Sequence, residues 1–256
     1  MSDWRVPYRV HGLTDEYRAK VGAARYVIRK YNPSAVVTSV SGGKDSTVLL
    51  HLVANAFGVK PRAYHIASNA NLPGLDTVLA WYREVADLRV IECASLADYI
   101  ERLRAIGLPH ERTDAEQRSV VLQGKKERGT EVAKELGARF VFLGLRAEES
   151  KNRRFLGKTM CFSARGLIHT CPLRDWTARD VWAYIVEHDL PYLPMYDCET
   201  HGFTRETIRN TGFLTTDGLK GYKNYGNNSY VAWLTTHYPA YAQILLREFP
   251  QLARWK

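Results

Sequence analysis

The chain has 256 residues, of which 45% are hydrophobic and 25% charged, ordinary usage for a folded protein that excludes collagen-like repeats, long disorder and coiled-coil rods. Lys and Arg number 36 against 27 Asp and Glu, a formal charge of +9, which points toward a phosphorylated or polyanionic partner. No stretch approaches the ~20 consecutive apolar residues of a membrane helix, and the opening Met1-Ser2-Asp3-Trp4-Arg5 lacks a signal peptide's apolar run, so the expectation is a cytoplasmic protein with no membrane contact. Cys93, Cys161, Cys171 and Cys198 include no Cys-x-x-Cys pair; reduced structural thiols are expected, and no metal ligand is assigned.

In chain order, residues 35–40 read as a buried strand, and apolar spacing over 45–54 predicts a helix after a glycine turn. A second strand at 62–67, a helix at 75–86, a third strand at 88–91 and a helix at 96–106 follow. Charge-rich 114–136 predicts a longer helix, broken near Gly124 or Gly129, before a fourth strand at 139–144. This alternation implies an α/β fold, a parallel twisted sheet with helices on both faces. Residues 145–170 read as a basic loop. Thr177 and Asp180 open a helix with a capping-box pattern running to about Asp189, and its Trp182 and Ile185 sit at core-facing spacing, which makes it scaffold. Residues 212–230 are rich in Gly, Asn and aromatics, and a last helix is expected over 239–249. A boundary near Pro191 separates an α/β domain at 1–190 from a C-terminal lid or appendage at 191–256, packed on the same domain.

The run Ser39-Val40-Ser41-Gly42-Gly43-Lys44-Asp45-Ser46-Thr47 lies where a strand hands over to a helix, the position at which open α/β sheets take ligands. Two glycines allow a tight turn with exposed amides, the helix N-terminus adds positive dipole, and Ser41, Lys44, Ser46 and Thr47 can donate to phosphate oxygens. It is not a Walker A loop: no glycine stands five residues before Lys44, and Asp45 follows the lysine.

Ser41-Gly42-Gly43-Lys44-Asp45-Ser46 resembles the PP-loop of the N-type ATP pyrophosphatases, and within them the phosphoadenosine phosphosulfate (PAPS) reductase family. Gly144-Leu145-Arg146-Ala147-Glu148-Glu149-Ser150-Lys151-Asn152-Arg153 is similar to that family's G-x-R-x-x-E-S-x-x-R. Pro172-Leu173-Arg174-Asp175-Trp176-Thr177-Ala178-Arg179-Asp180-Val181-Trp182 is similar to its P-L-x-x-W-T-x-x-D-V-W. The resemblance implies an adenine-nucleotide α-hydrolase fold that binds ATP, or a related adenine nucleotide, with Mg2+. It implies a nucleotide site drawn from Ser39, Ser41, Gly42, Gly43, Lys44, Asp45, Ser46, Thr47, Asn69, Gly144, Glu149 and Ser150, with Lys44, Arg146 and Arg153 as catalytic cations. The two arginines suit bidentate contact with phosphate or sulfate oxygens, and Glu149 would orient a guanidinium or help hold magnesium; a surface ion-pair network is the alternative. Asn69 departs from the family, which shows an acidic residue and then T-G at the end of the second strand.

Sulfonucleotide reductases carry a C-terminal E-C-G-x-H segment whose cysteine attacks sulfur. Asp197-Cys198-Glu199-Thr200-His201-Gly202 differs from it in order and context, and Arg209 to Thr216 keeps the frame of an R-x-G-C-x-x-C site without its cysteines. The expected activity is therefore an ATP pyrophosphatase that cleaves the α–β bond and adenylylates an acceptor, with no iron–sulfur cluster. The acceptor stays open among sulfate, tRNA bases and the DNA backbone. The +9 charge and the Lys/Tyr-rich segment 220–230 favour nucleic acid in a sulfur-transfer or modification pathway, alongside a sulfur-donor or other protein partner. A PAPS or adenosine phosphosulfate reductase and a non-catalytic nucleotide-binding subunit are the alternatives.

Overall fold

The computed structural model describes residues 3–67, 73–92, 101, 128–149, 160–208 and 230–255. Six strands form one sheet: β1 (Val36–Val40), β2 (Arg62–Ala67), β3 (Asp87–Glu92), β4 (Phe140–Leu143), β5 (Cys161–Ala164) and β6 (Leu167–Thr170), in the order β3-β2-β1-β4-β6-β5. β1 runs parallel to both β2 and β4, β4 parallel to β6, and β5 antiparallel at the edge. The chain leaves β1 through one helix (Lys44–Phe57) to β2, passes through a second (Leu75–Val85) to β3, and returns past β1 to β4. The sheet therefore reverses direction between β1 and β4, and the crevice beyond their C-terminal ends is where such sheets bind ligands.

Both faces of β1 are covered. Val37, with Tyr64 of β2 and Val141 of β4, packs under Val132 and Ala133 of the helical residues 128–135. The alternate positions Val36, Thr38 and Val40 are equally buried, the pattern of a parallel strand enclosed on both sides. The expectation of a mostly parallel sheet with helices holds.

Two parts of the sequence reading change. Residues 145–170 are not all loop: β5 and β6 form a hairpin around Arg165 and Gly166, both at positive φ (55° and 78°). Such a two-residue turn matches the twist of antiparallel strands, but strands of four residues with an Arg-Gly turn carry little sequence signal. At the N-terminus, where no element is expected from the pattern, two helices form, α1 (Val6–Gly12) and α2 (Asp15–Arg29). In chain order the others are α3 (Lys44–Phe57), α4 (Leu75–Val85), α5 (128–135), α6 (Ala178–Glu187), α7 (Tyr230–His237) and α8 (Pro239–Glu248). The expected helix at 96–106 apart from residue 101, most of 114–136, and the segment 212–229 lie outside the described residues.

α2 starts at Thr14, whose hydroxyl accepts the Tyr17 amide, and buries Tyr17, Val21, Ala24 and Ile28 at helical spacing. α6 carries the expected capping box: the Asp180 amide donates to Thr177 Oγ1 and the Asp180 carboxylate accepts the Thr177 amide. Asp180 is also fully buried, and its two oxygens meet His11 Nε2 at 2.7 Å and Lys20 Nζ at 2.9 Å. One carboxylate thus caps α6 and ties it to α1 and α2, while Trp4 sits edge-on to Trp182 and Tyr192 beside it.

The described residues fall into two compact units, one holding residues up to 66, 74–91 and 128–193, the other including 194–208 and 230–255. In the second, Trp233 of α7 is buried and donates Nε1–H to the Cys198 carbonyl at 2.7 Å. Arg205 pairs with Asp197 and Glu199. Among the described residues no helix is long and apolar enough to cross a membrane.

Burial opposes the charge of Asp180, but the Thr177 amide, His11 and Lys20 outweigh it and hold the pKa below the usual carboxylate value. Asp180→Ala should cost about 3–5 kcal/mol in urea denaturation at neutral pH, because it leaves buried partners uncompensated. A depressed pKa means stability present above the unfolded value and lost as pH falls, so the gap between wild type and variant should close below about pH 4.

Candidate functional site

The loop between β1 and α3 has Gly42 at φ 82°, a left-handed turn that favours glycine, and Gly43 as the N-cap of α3. Its hydroxyls are drawn into its own construction. Ser46 Oγ donates to the Gly43 carbonyl at 2.8 Å and accepts the Ser41 amide at 3.1 Å. Thr47 Oγ1 donates to the same carbonyl at 3.2 Å. Both hydroxyls also meet the phenol of Tyr82, from α4, at 3.2 and 2.8 Å. Tyr82 is wholly buried, and burial pushes its pKa up to about 12 against the opposing pull of Ser46, Thr47 and the Gly42 backbone. Ser41 stays exposed. Ser39 hydrogen-bonds Tyr64.

Charge gathers at the same crevice. The side chains of Lys44 and Arg146 are each only 3% exposed. Lys44 Nζ lies 3.6 Å from Asp45 Oδ2, and Arg146, just beyond β4, donates Nε–H to Asp45 Oδ1. Arg146 also donates from its guanidinium to Glu148 Oε1 at 2.9 Å, and that oxygen accepts the Ala178 amide at the start of α6 at 3.1 Å. Burial works against the Arg146 charge, but Asp45 and Glu148 raise its pKa above the ordinary arginine value. Asp45 and Glu148 thus hold this guanidinium among the described residues, and Glu149, which the sequence reading offers for a guanidinium or for magnesium, accepts the Arg146 amide at 3.2 Å. Gly144 allows the two loops to meet: a Cβ there would lie 3.1 Å from the backbone of Asp45 and Ser46.

The structure thus brings Ser41, Gly42, Gly43, Lys44, Asp45, Ser46, Thr47, Gly144, Arg146 and Glu149 together at the β1/β4 switch point. Asn69, Ser150 and Arg153 lie outside the described residues. Sequence reasoning missed Tyr82 and Glu148. Tyr82 shares a helical stripe with Val78 and Leu79 and reads as ordinary core, and Glu148 stands beside the more recognisable Glu149.

A helix N-terminus and two buried cations fit a phosphorylated ligand. Among the described residues no group of three His, Cys, Asp or Glu side chains is placed to hold a metal. Mg2+ asks for less, since it commonly rests on phosphate oxygens with one or two carboxylates and water, and Asp45 and Glu149 can supply those carboxylates. In the second unit, burial raises the Cys198 thiol pKa, with Asp197 adding to the effect; this disfavours the thiolate a nucleophile needs. His201, its sequence neighbour, bonds Thr236 at 2.9 Å.

The family model "Phosphoadenosine phosphosulfate reductase domain" matches residues 35–223. The adenosine 5'-phosphosulfate reductase of Lysinibacillus sphaericus is 24% identical over 225 residues, covering 82% of this chain and 92% of that one. The phosphoadenosine 5'-phosphosulfate reductase of Gloeobacter violaceus is 48% identical over 54 residues, 21% of this chain, so the match spans only 22% of that relative's length. Among solved structures, Candida glabrata FMN adenylyltransferase in complex with FMN and the ATP analogue AMPCPP aligns with a TM-score of 0.52 at 15% identity. That alignment covers 73% of this chain and 60% of the other, and shows a shared adenine-nucleotide α-hydrolase-like fold.

Two glycine substitutions should move stability in opposite directions. Gly144→Ala forces a methyl against fixed backbone and should destabilise by about 1–3 kcal/mol. Gly22→Ala in α2 meets nothing within 4 Å and should stabilise by about 0.5–1 kcal/mol. Thermal melts of the two variants beside wild type check both signs.

Proposed function

The chain belongs to the phosphoadenosine phosphosulfate reductase family, and from that premise we propose that it binds ATP with magnesium on the Ser41–Thr47 loop and cleaves the α–β bond to adenylylate an acceptor. The observation that carries this reading is the pair of buried cations, Lys44 and Arg146, converging on Asp45 beside the α3 N-terminus. An acceptor oxygen attacks the α-phosphorus, the bond to the bridging oxygen breaks, and pyrophosphate leaves with the electron pair. Charge develops on the departing phosphates, where fixed cations and amides stabilise it and in-line geometry supplies the rest. Lys44 and Arg146 serve this role, Glu148 holds Arg146 in place, and the N-terminus of α3 adds its dipole. Arg153 joins them as a third cation, and Ser39, Asn69 and Ser150 complete the nucleotide's surroundings. Magnesium, when bound on the phosphate oxygens, supplies further charge neutralisation.

In this reading residues 1–190 form the nucleotide domain and 191–256 its appendage. The acceptor we favour is nucleic acid, supported by the +9 charge and the Lys/Tyr-rich segment 220–230, with a sulfur donor or other protein as a further partner. A second reading, a sulfonucleotide reductase, is favoured by the names of the relatives above and opposed by the residues around Cys198, whose order differs from the E-C-G-x-H segment.

Lys44→Ala should weaken ATP binding roughly ten- to a hundredfold by calorimetry, the cost of one charge-assisted phosphate contact; unchanged affinity would remove the loop from the site. Wild type should release pyrophosphate from ATP when offered its acceptor, and no sulfite from phosphoadenosine phosphosulfate with a thioredoxin-like donor. Steady sulfite production abolished by Cys198→Ser would establish the reductase instead. Binding to a duplex or a tRNA should weaken with salt by about one unit of log–log slope per phosphate neutralised, and removing Lys220 and Lys223 should flatten that slope by about two.

A further inference from the structure

The hydroxyls that the loop's sequence offers to a phosphate are directed elsewhere. Ser46 and Thr47 both donate to the Gly43 carbonyl, which also accepts the Thr47 amide at 3.1 Å. Either atom can donate in the two contacts with Tyr82, and the shorter, 2.8 Å, ties the phenol most closely to Thr47. The Gly42 backbone meets the same phenol oxygen. Tyr82 comes from α4, an element remote in sequence from the loop, and is buried to the last atom of its ring. A tyrosine so enclosed cannot touch a nucleotide at the exposed rim where Ser41 stands.

We propose that Tyr82 is a positioning residue for the phosphate loop. By fixing Thr47 and the Gly42 turn from behind, it holds the Gly43 carbonyl inward and sets the backbone geometry with which the loop enters α3. This rests on the anion-binding reading of the loop. A fully connected hydrogen-bond network of this kind rigidifies a single geometry, whereas one missing member leaves the rest mispaired. The loop is then preorganised before ligand arrives, and affinity depends on a side chain that the ligand never meets.

The test measures inorganic pyrophosphate and ATP binding by calorimetry, well below the melting temperature, for wild type, Tyr82→Phe, Thr47→Val and the double variant. Tyr82→Phe keeps the ring and removes only the hydroxyl. It should weaken both ligands about three- to tenfold, Thr47→Val should do the same, and the double variant should lose less than the sum of the two, as expected when both changes break a shared bond. Hydrogen exchange should rise in the Ser41–Asp45 peptide of Tyr82→Phe and stay unchanged in α2 and α6. A merely structural tyrosine would lower the melting temperature without changing the affinity of the folded protein. Wild-type affinity in Tyr82→Phe, or fully additive losses, would overturn the proposal while leaving the anion loop intact. Absence of pyrophosphate and ATP binding in the wild type would instead overturn the anion-loop reading, and the proposal with it. If Tyr82→Phe does not fold, Thr47→Val reads the same bond: a three- to tenfold loss supports the assignment, and wild-type affinity overturns it.

Discussion

The contact between Arg146 and Asp45 is the one on which the site depends. It joins the turn after β1 to the turn after β4 across the point where the sheet reverses. Each ion, buried alone, would carry a desolvation penalty of several kcal/mol, so the network holds only when complete. Among the described residues, Lys44 and Arg146 face Asp45 and Glu148, so the carboxylates hold both cations in place before a ligand arrives.

The network extends beyond the site through Glu148, which accepts both the Arg146 guanidinium and the first amide of α6. Two residues further into that helix, Asp180 gathers α1 and α2. A displacement of the helical scaffold would reach Arg146 through one carboxylate oxygen, and the third of the family's motifs, although not at the rim of the crevice, is mechanically continuous with it.

How much of this was legible in the sequence follows from the range of each interaction. The β1–loop–α3 unit was readable because a buried strand, two glycines and a helical stripe lie within about twenty residues and each fixes its own conformation. The capping box of α6 was readable for the same reason, since Thr177 and Asp180 are one turn apart. The second role of Asp180 was not, because His11 and Lys20 lie some 160 residues away and no local pattern marks them as partners. Tyr82 had the spacing of a core residue, and it is one; its hydroxyl matters only because α3 and α4 are brought side by side. The β5–β6 hairpin escaped because two strands of four residues give too few alternations to stand out from a polar loop, and Arg165 occupies a positive φ that composition does not advertise.

The Asp180 junction has a consequence for synthesis on the ribosome. α1 and α2 emerge first, with Trp4, Tyr8 and Tyr17 on the surfaces that later meet α6. Their acceptor, residue 180, follows Lys20 by 160 positions, which at about 5–20 residues per second means roughly 8–30 s of elongation. Throughout that interval an aromatic face stands uncovered on the nascent chain. Helix α1 thus waits for its partner through that interval, and a stall in translation between β4 and α6 leaves a fragment whose sheet is partly built but whose α1 has no α6 to pack on.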